Sequence, residues 1–418
     1  MSIDPTTIFA VAAGVILIGF VADIFFKRTG VPSVLFLILL GVAIGPILGL
    51  ISQSLILPVL STIAELTLIM VLFYGGMEIK IKTLLRIGNR IIVQVIIYVF
   101  TSAILIAIFA NYVLGWGWIQ SLIFGAILGG ELTPPVIVPV SRGLKLPEQT
   151  IAFLTLESAL TVIFTVILFV TFIGLYQTGT LSLLSAASLL ISSFSIGVVI
   201  GLVLALLWLF TLNYVKKYKY TYVLTVGLVL LTYVITTLVG GSGLLSVLVF
   251  GLILGNNSFV GELIKRGINI GWLQKRLADF QDEVSFLLET VFFVFLGLIF
   301  SIAFNSVVLG ILAGGIITLI LISTRALASG ISTFRSTLSK DRKIITLICA
   351  LGVTPATLAI LSISYGIPHA SSYVLLVTYV IIFTNIITTL GAYFFARSRG
   401  TEIGMPKPLA KVRVSKGQ

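Results

Sequence analysis

The sequence predicts an all-α integral membrane protein with about thirteen transmembrane helices. Hydrophobic residues make up 58% of the 418 residues and charged residues only 10%, whereas a soluble domain carries about a quarter charged residues. The apolar residues gather in about thirteen segments, most of them long enough to cross a hydrocarbon core of roughly 30 Å at about 1.5 Å per residue. The basic residues lie in the loops between them, on alternate sides of the predicted bilayer.

The predicted spans follow one another with short connections. They cover approximately residues 8–26, 33–50, 57–77, 90–114, 119–141, 149–175, 183–212, 221–239, 241–256, 284–304, 307–333, 343–366 and 371–396. The ninth span is short, and only the glycine-rich stretch Gly240–Gly243 separates it from the eighth. The longest loop, Asn257–Glu283, is predicted to be an amphipathic interfacial helix rather than a soluble domain.

The basic loops predict the orientation. Every Lys and Arg except Arg325 falls in a loop on one side or in the tail after span 13, and this side is expected to be the cytoplasm. The N-terminus is then outside and the C-terminus cytoplasmic, in the plasma membrane. The net charge of +12 is therefore an orientation signal, and we expect the lipid bilayer rather than nucleic acid as its partner. Because Lys27 and Arg28 follow the first apolar segment, we expect that segment to be a retained span, not a signal peptide.

Two spans are interrupted within the membrane. Span 5 contains Leu132–Pro135 and span 12 contains Gly352–Pro355, so Pro134, Pro135 and Pro355 are the predicted helix breaks. Paired interruptions at matching positions of two halves indicate a transporter site, although Pro is also simply more frequent in membrane helices.

Because these spans are seven apart, they run in opposite directions. The pattern therefore predicts two inverted six-helix repeats with discontinuous helices, spans 5 and 12, in a single membrane transporter domain, residues 1–418. The first repeat is residues 1–175, the connecting span 7 is residues 176–220, the second repeat is residues 221–396 and the basic cytoplasmic tail is residues 397–418.

Two carboxylates stand at membrane depth beside the first interruption. Glu157 is predicted about 12–14 Å and Glu131 about 15 Å from the cytoplasmic end of their spans. Ionisable groups at this depth usually line a transport pathway, and two carboxylates on neighbouring helices can share a cation or a proton. The alternative for Glu157 is a structural carboxylate that bonds backbone groups freed near Thr133 or Thr354; for Glu131 the two interpretations are evenly balanced.

Neutral oxygens and a second pair of charges complete the candidate residues. Hydroxyl oxygens suit a hard cation, and the candidates that carry them are Thr133, Ser158, Thr161 and Thr354. Glu65 in span 3 and Arg325 in span 11 are the other intramembrane charges, at depths that a long Arg side chain can bridge. They are expected to form a structural ion pair, and a role in binding an anionic substrate is the alternative.

Several segments resemble the monovalent cation/proton antiporter superfamily, to which sodium/proton exchangers belong. They are RTGVPSVLFLILLGVAIGPILGL (28–50), IAELTLIMVLFYGGMEIKIKTLLR (63–86), LESALT (156–161), GGSGLLSVLVFGLILGN (240–256) and DEVSFLLETVFFVFLGLIF (282–300). The resemblance implies a homodimer with a core of broken, crossed helices, a separate dimerisation domain and elevator-like movement of one against the other.

The chain departs from that family's pattern at the expected ion site. Such antiporters commonly carry Thr-Asp-Pro in span 5, where this chain has Thr133-Pro134-Pro135. They commonly carry Asn-Asp or Asp-Asp in span 6, where this chain has Thr161-Val162. Glu157 and Ser158 match the family's Glu-Ser pair, so the usual ion-binding aspartates are absent and the nearby carboxylate is retained.

The sequence therefore predicts exchange of Na⁺ or K⁺ for protons. The alternatives are a divergent member that transports another solute and a channel-like or non-exchanging membrane protein. An enzyme is not expected, because no nucleophile and base combination stands out. Neither a metal site nor a cofactor is predicted, because the one histidine, His369, and the one cysteine, Cys349, form no ligand cluster.

Overall fold

Helices joined by turns and short loops make up the part of the chain that the computed structural model describes. The described residues are 5–29, 32–49, 53–79, 81–130, 132–133, 136, 140–141, 143–179, 183–215, 218, 220–263, 271–300 and 304–398. Glu131, Pro134, Pro135 and the tail from residue 399 lie outside them.

The helices follow the predicted spans in order. They are α1 (Pro5–Thr29), α2 (Ser33–Val42), α3 (Gln53–Glu78), α4 (Ile81–Tyr112), α5 (Trp118–Ile127), α6 (Glu148–Thr178), α7 (Leu183–Val215), α8 (Thr221–Leu238), α9 (Gly243–Gly255), α10 (Asn257–Leu263), α11 (Gly271–Leu298), α12 (Phe304–Ser332), α13 (Arg342–Leu347), α14 (Val353–Ser364) and α15 (Ala370–Ser398). A π-helical turn, Ala43–Ile47, extends α2 around Pro46, and a short 3₁₀ helix, Thr337–Asp341, precedes α13.

The all-α membrane fold is confirmed, and seven of the described helices are long and apolar enough to cross a bilayer by themselves. Shorter apolar helices occupy the other predicted spans, so the number of crossings stays a prediction. The weak boundary between spans 8 and 9 is placed correctly, because α8 ends at Leu238 and α9 begins at Gly243. The loop Asn257–Glu283 is shorter than predicted, since its second half is the amphipathic beginning of α11, continuous with the membrane helix.

Packing divides the helices into two groups. The first, which we call panel A, contains α1, α2, α3, α7, α8, α9 and α11; the second, panel B, contains α4, α5, α6, α12, α13, α14 and α15. Each panel draws helices from both halves of the chain. The most extensive contact between panels is that of α14 with α3, so the second half of the interrupted span 12 lies at the boundary.

Glycines bring the helices of panel A into close contact. A Cβ atom at Gly251 of α9 would overlap the backbone of Phe73 in α3, and one at Gly255 would overlap the backbone of Met77. Gly41 of α2 faces Gly297 of α11 in the same way. Small residues that let backbones approach closely are the main packing device of membrane helices, so panel A is a tightly packed body.

Replacing Gly251 by Ala should destabilise the protein. The added Cβ meets backbone atoms that a rotamer change cannot move, and overpacking of this kind costs about 1–3 kcal/mol. The melting temperature of the purified protein in detergent measures the effect. Gly227→Ala in α8 is the matched control, because no atom lies within 4 Å of a Cβ there and Ala is the better helix former. Equal melting temperatures for the two variants would contradict the close packing of α3 against α9.

Candidate functional site

Span 12 is broken between α13 and α14. The connecting residues Ile348–Gly352 are not helical and are buried, so their backbone groups cannot reach water and must be bonded within the protein. The break precedes the predicted one: Pro355 lies in the first turn of α14, where its missing N–H costs no hydrogen bond.

Polar side chains of α15 bond the freed backbone. The Cys349 N–H donates to Thr388 Oγ1 at 3.0 Å, and the Leu351 N–H donates to Thr384 Oγ1 at 3.3 Å. The Leu351 carbonyl accepts from Asn385 Nδ2 at 2.9 Å. These three side chains of α15 therefore make an extended segment stable inside the membrane. None of these three side chains was among the candidate residues predicted from the sequence.

The interruption in span 5 crosses the one in span 12. Helix α5 ends at Ile127, the chain turns through Gly130 with φ +84°, and the Thr133 N–H donates to the Ala350 carbonyl at 3.0 Å. A Cβ atom at Gly352 would overlap the Thr133 side chain, so a glycine is required at this contact. The two predicted interruptions are thus brought together, although Pro134, Pro135 and Glu131 lie outside the described residues.

Glu157 and Arg325 form a buried ion pair beside this crossing. Both side chains are fully inaccessible to solvent. Glu157 Oε1 accepts from Arg325 Nη1 at 2.7 Å and Oε2 accepts from Arg325 Nη2 at 3.1 Å, so the pair is bidentate. Arg325 Nε donates to the Ile345 carbonyl at 2.9 Å. That carbonyl belongs to the last turn of α13, where intrahelical donors are missing, so the guanidinium also caps the helix that leads into the break.

A glutamine completes the environment of Glu157. Gln94 Nε2 of α4 donates to Glu157 Oε1 at 2.8 Å, and Gln94 Oε1 accepts from Ser332 Oγ of α12 at 2.7 Å. The Tyr98 ring lies under the guanidinium, 5.2 Å from Arg325 Cζ to the ring centroid. Helices α4, α6 and α12 are therefore joined through one carboxylate. Gln94 was missed, although a lone amide within the apolar stretch IIVQVIIYVF was a usable signal.

The predicted ion pair between Glu65 and Arg325 is wrong. Arg325 bonds Glu157 within panel B, whereas Glu65 belongs to panel A and accepts a hydrogen bond from the Tyr233 hydroxyl of α8. The prediction compared depths in the membrane only. The depth of a residue does not determine the direction in which its side chain leaves the helix axis. That direction depends on the rotation of the helix about its axis, and it decides which side chain becomes the partner.

The predicted hydroxyl ligands lie in two settings. Ser158 Oγ donates to the Thr155 carbonyl at 2.8 Å and Thr161 Oγ1 donates to the Ser158 carbonyl at 2.9 Å, which leaves oxygen lone pairs for a cation. Thr354 Oγ1 is buried and has no hydrogen-bond partner among the described residues, and the same is true of Thr357 Oγ1. Thr357 was not predicted. The position of the usual aspartate, Val162, packs in the apolar core.

Comparisons with known proteins agree with this architecture. The profile of the family described as "Sodium/hydrogen exchanger, transmembrane" matches residues 13–396. The chain belongs to this family. The structure of the sodium proton antiporter MjNhaP1 from Methanocaldococcus jannaschii at pH 8 is similar, with a TM-score of 0.79 and 21% identity over 93% of this chain and 100% of that chain, which shows the fold.

Curated relatives are similar over much of the chain. The K(+)/H(+) antiporter NhaP2 of Shewanella sp. (strain MR-4) is 27% identical over 357 residues, which are 83% of this chain and 59% of the relative. The Probable Na(+)/H(+) antiporter 2 of M. jannaschii is 24% identical over 288 residues, 66% of this chain and 65% of the relative. The chain thus spans about three fifths of the NhaP2 length.

Glu157→Gln should strongly destabilise the protein, because it leaves the buried Arg325 guanidinium without a counter-charge. Breaking a buried ion pair from one side costs about 3–5 kcal/mol. The melting temperature in detergent should fall, and the double variant Glu157→Gln/Arg325→Met should recover part of the loss, since no charge then remains buried at the pair.

The control is Glu148→Gln at the exposed start of the same helix. This variant removes an equal charge and should cost less than about 1 kcal/mol. If Glu157→Gln melted at the wild-type temperature, the ion pair would not be what holds α6 to α12.

Proposed function

We propose that the protein is a secondary active transporter that exchanges monovalent cations, Na⁺ or K⁺, for protons by elevator-like alternating access. The observation that carries the proposal is the crossing of two interrupted membrane segments, joined by the bond from the Thr133 N–H to the Ala350 carbonyl. Non-helical backbone at membrane depth occurs where it is covered by protein or lines a cavity, and transporters place substrate sites at such breaks. Membership of the family and the antiport activities named for the relatives support it.

The division into panels supports the elevator component. The crossing lies within panel B, whose helices are joined by the Glu157 ion pair, and panel A is held by glycine contacts of its own. The contact between α14 and α3 is the main one that crosses the boundary. Sliding of panel B against panel A would move the crossing across the bilayer while leaving both sets of internal contacts intact.

We assign the exchanging carboxylate to Glu131. Exchange needs a carboxylate that a proton and a cation can occupy in turn. Arg325 and Gln94 already bond both oxygens of Glu157. Glu131 stands two residues before Thr133 in the sequence and three residues before Pro134, where the resembling family commonly carries an aspartate. The hydroxyl oxygens of Thr133, Ser158, Thr161 and Thr354 would complete the coordination of the cation.

Transport of another solute is the second candidate. The Glu157–Arg325 pair favours it. Glu157 is the one carboxylate in the described part of the crossing, and Arg325 offsets the negative charge that would attract a cation. We further propose the orientation with the N-terminus outside the plasma membrane and assembly as a homodimer, on the basis of the basic loops and the family resemblance.

Proton flux in proteoliposomes under an imposed pH gradient tests the proposal. A pH-sensitive dye would report flux on addition of Na⁺, Li⁺, K⁺ or no cation. The wild type should show cation-dependent flux, and Glu131→Gln should lose it while keeping the wild-type melting temperature. The control is Glu148→Gln, which should exchange normally.

Two results would change these assignments. Normal exchange by Glu131→Gln would show that the exchanging carboxylate is another residue of the protein. Absence of flux with every cation, from protein that melts cooperatively, would contradict exchange and leave transport of another solute.

A further inference from the structure

Glu65 is a second intramembrane carboxylate that the proposed crossing site does not use. It lies on α3, about 12 Å from the start of the predicted span 57–77, and it is half-buried. Within the described part of the chain, the hydrogen bond it receives comes from a neutral group, the Tyr233 hydroxyl. Its charge is therefore not offset by a basic residue there, unlike that of Glu157. An ionisable group in this situation marks a functional site by default.

Tyr233 is held in place by its surroundings. Its ring packs against the start of α9, where a Cβ atom at Gly243 would overlap both the ring and Thr237 Oγ1. The glycine-rich turn between α8 and α9 thus leaves the space that the phenol occupies. A fixed ring directs its hydroxyl at Glu65 without a further loss of side-chain freedom.

A second phenol approaches Glu65 from the other panel. Tyr365 directly follows α14 and is close enough to Glu65 to interact with it electrostatically. Since α3 and α8 belong to panel A and α14 to panel B, the carboxylate lies at the boundary between the panels. All three groups lie towards the side of the membrane at which α3 begins, because Tyr233 is about 7.5 Å from the end of the oppositely directed α8.

We propose that Glu65, bonded by the Tyr233 hydroxyl and within electrostatic range of Tyr365, is a second binding site for the monovalent cation, at the panel boundary on the side where α3 begins. One carboxylate and neutral phenolic oxygens form the all-oxygen environment that hard cations prefer. A cation arriving from that side meets Glu65 before it reaches the crossing, so this site raises the local cation concentration for exchange. The inference rests on the proposed cation transport, and the orientation predicted from the basic loops makes this side the outside.

Cation uptake into right-side-out and inside-out membrane vesicles tests the site. The probes are ²²Na⁺ and ⁸⁶Rb⁺, the latter as a substitute for K⁺. Glu65→Gln should raise the half-saturating cation concentration about tenfold when the cation is supplied at the side where α3 begins, and should leave it unchanged at the other side. Tyr233→Phe should show a smaller shift at the same side, because it removes one oxygen and keeps the carboxylate.

Matched controls separate binding from packing. Glu148→Gln removes an exposed carboxylate and Tyr112→Phe removes an exposed phenol, and neither should shift the half-saturating concentration on either side. A shift of equal size on both sides for Glu65→Gln, or no shift at all, would overturn the second site. If Glu65→Gln lowered the melting temperature without changing the half-saturating cation concentration on one side only, Glu65 would have a role in packing alone.

A measurement of cation binding at equilibrium distinguishes failure of the second site from failure of the proposed exchange. If the wild type moved no protons in response to any cation, purified protein in detergent would be titrated with ²²Na⁺ and with ⁸⁶Rb⁺. Wild-type protein should bind one cation per chain more than Glu65→Gln, whether or not exchange occurs. Equal binding by the two proteins would overturn the inference.

Discussion

A carboxylate and a guanidinium, both without access to solvent, join three helices of panel B. Removing either charge would leave the other unpaired in a medium of low dielectric constant, which is why the two must be found together. The bidentate bonds between Glu157 and Arg325 fix α6 against α12, and Gln94 adds α4 to the same group. Because Arg325 also bonds the Ile345 carbonyl, the pair determines where α13 ends and hence where the crossing segment begins.

The absence of water also determines how the crossing must be bonded, because buried backbone groups there need partners within the protein. Five consecutive residues, Ile348–Gly352, leave the helical conformation in a buried place. Side chains of α15 bond the Cys349 N–H and both backbone groups of Leu351, and the Thr133 N–H bonds the Ala350 carbonyl. The threonines and Asn385 thus offset part of the free-energy cost of placing non-helical backbone away from water. Panel B thus contains the buried polar bonds around Glu157 and the crossing, and panel A contains close glycine contacts between α3 and α9 and between α2 and α11. The most extensive contact between the two panels is that of α14 with α3.

Hydrophobic runs and glycine-rich stretches in the sequence largely predict where each helix begins and ends. They do not predict which side chains will bond to one another. Gly240–Gly243 separated α8 from α9 correctly, and the interruptions at spans 5 and 12 did meet. By contrast, Glu65 was assigned to Arg325 on depth alone, and the structure gives it Tyr233. Gln94, Thr384 and Thr388 look like ordinary polar residues of membrane helices in the sequence, because only the opposing backbone or carboxylate reveals what they bond.

By itself, the sequence determined the membrane class, the order of the helices and the existence of two interrupted spans, because each depends on runs of consecutive residues whose burial in lipid has a large free energy. Tertiary structure decided the rotation of each helix about its axis and its neighbours in the panels. Those choices paired Glu157 with Arg325 and gave Glu65 the Tyr233 hydroxyl as its partner. Contacts between residues as far apart as 157 and 325 depend on the packing of all the helices between them, which no local pattern encodes.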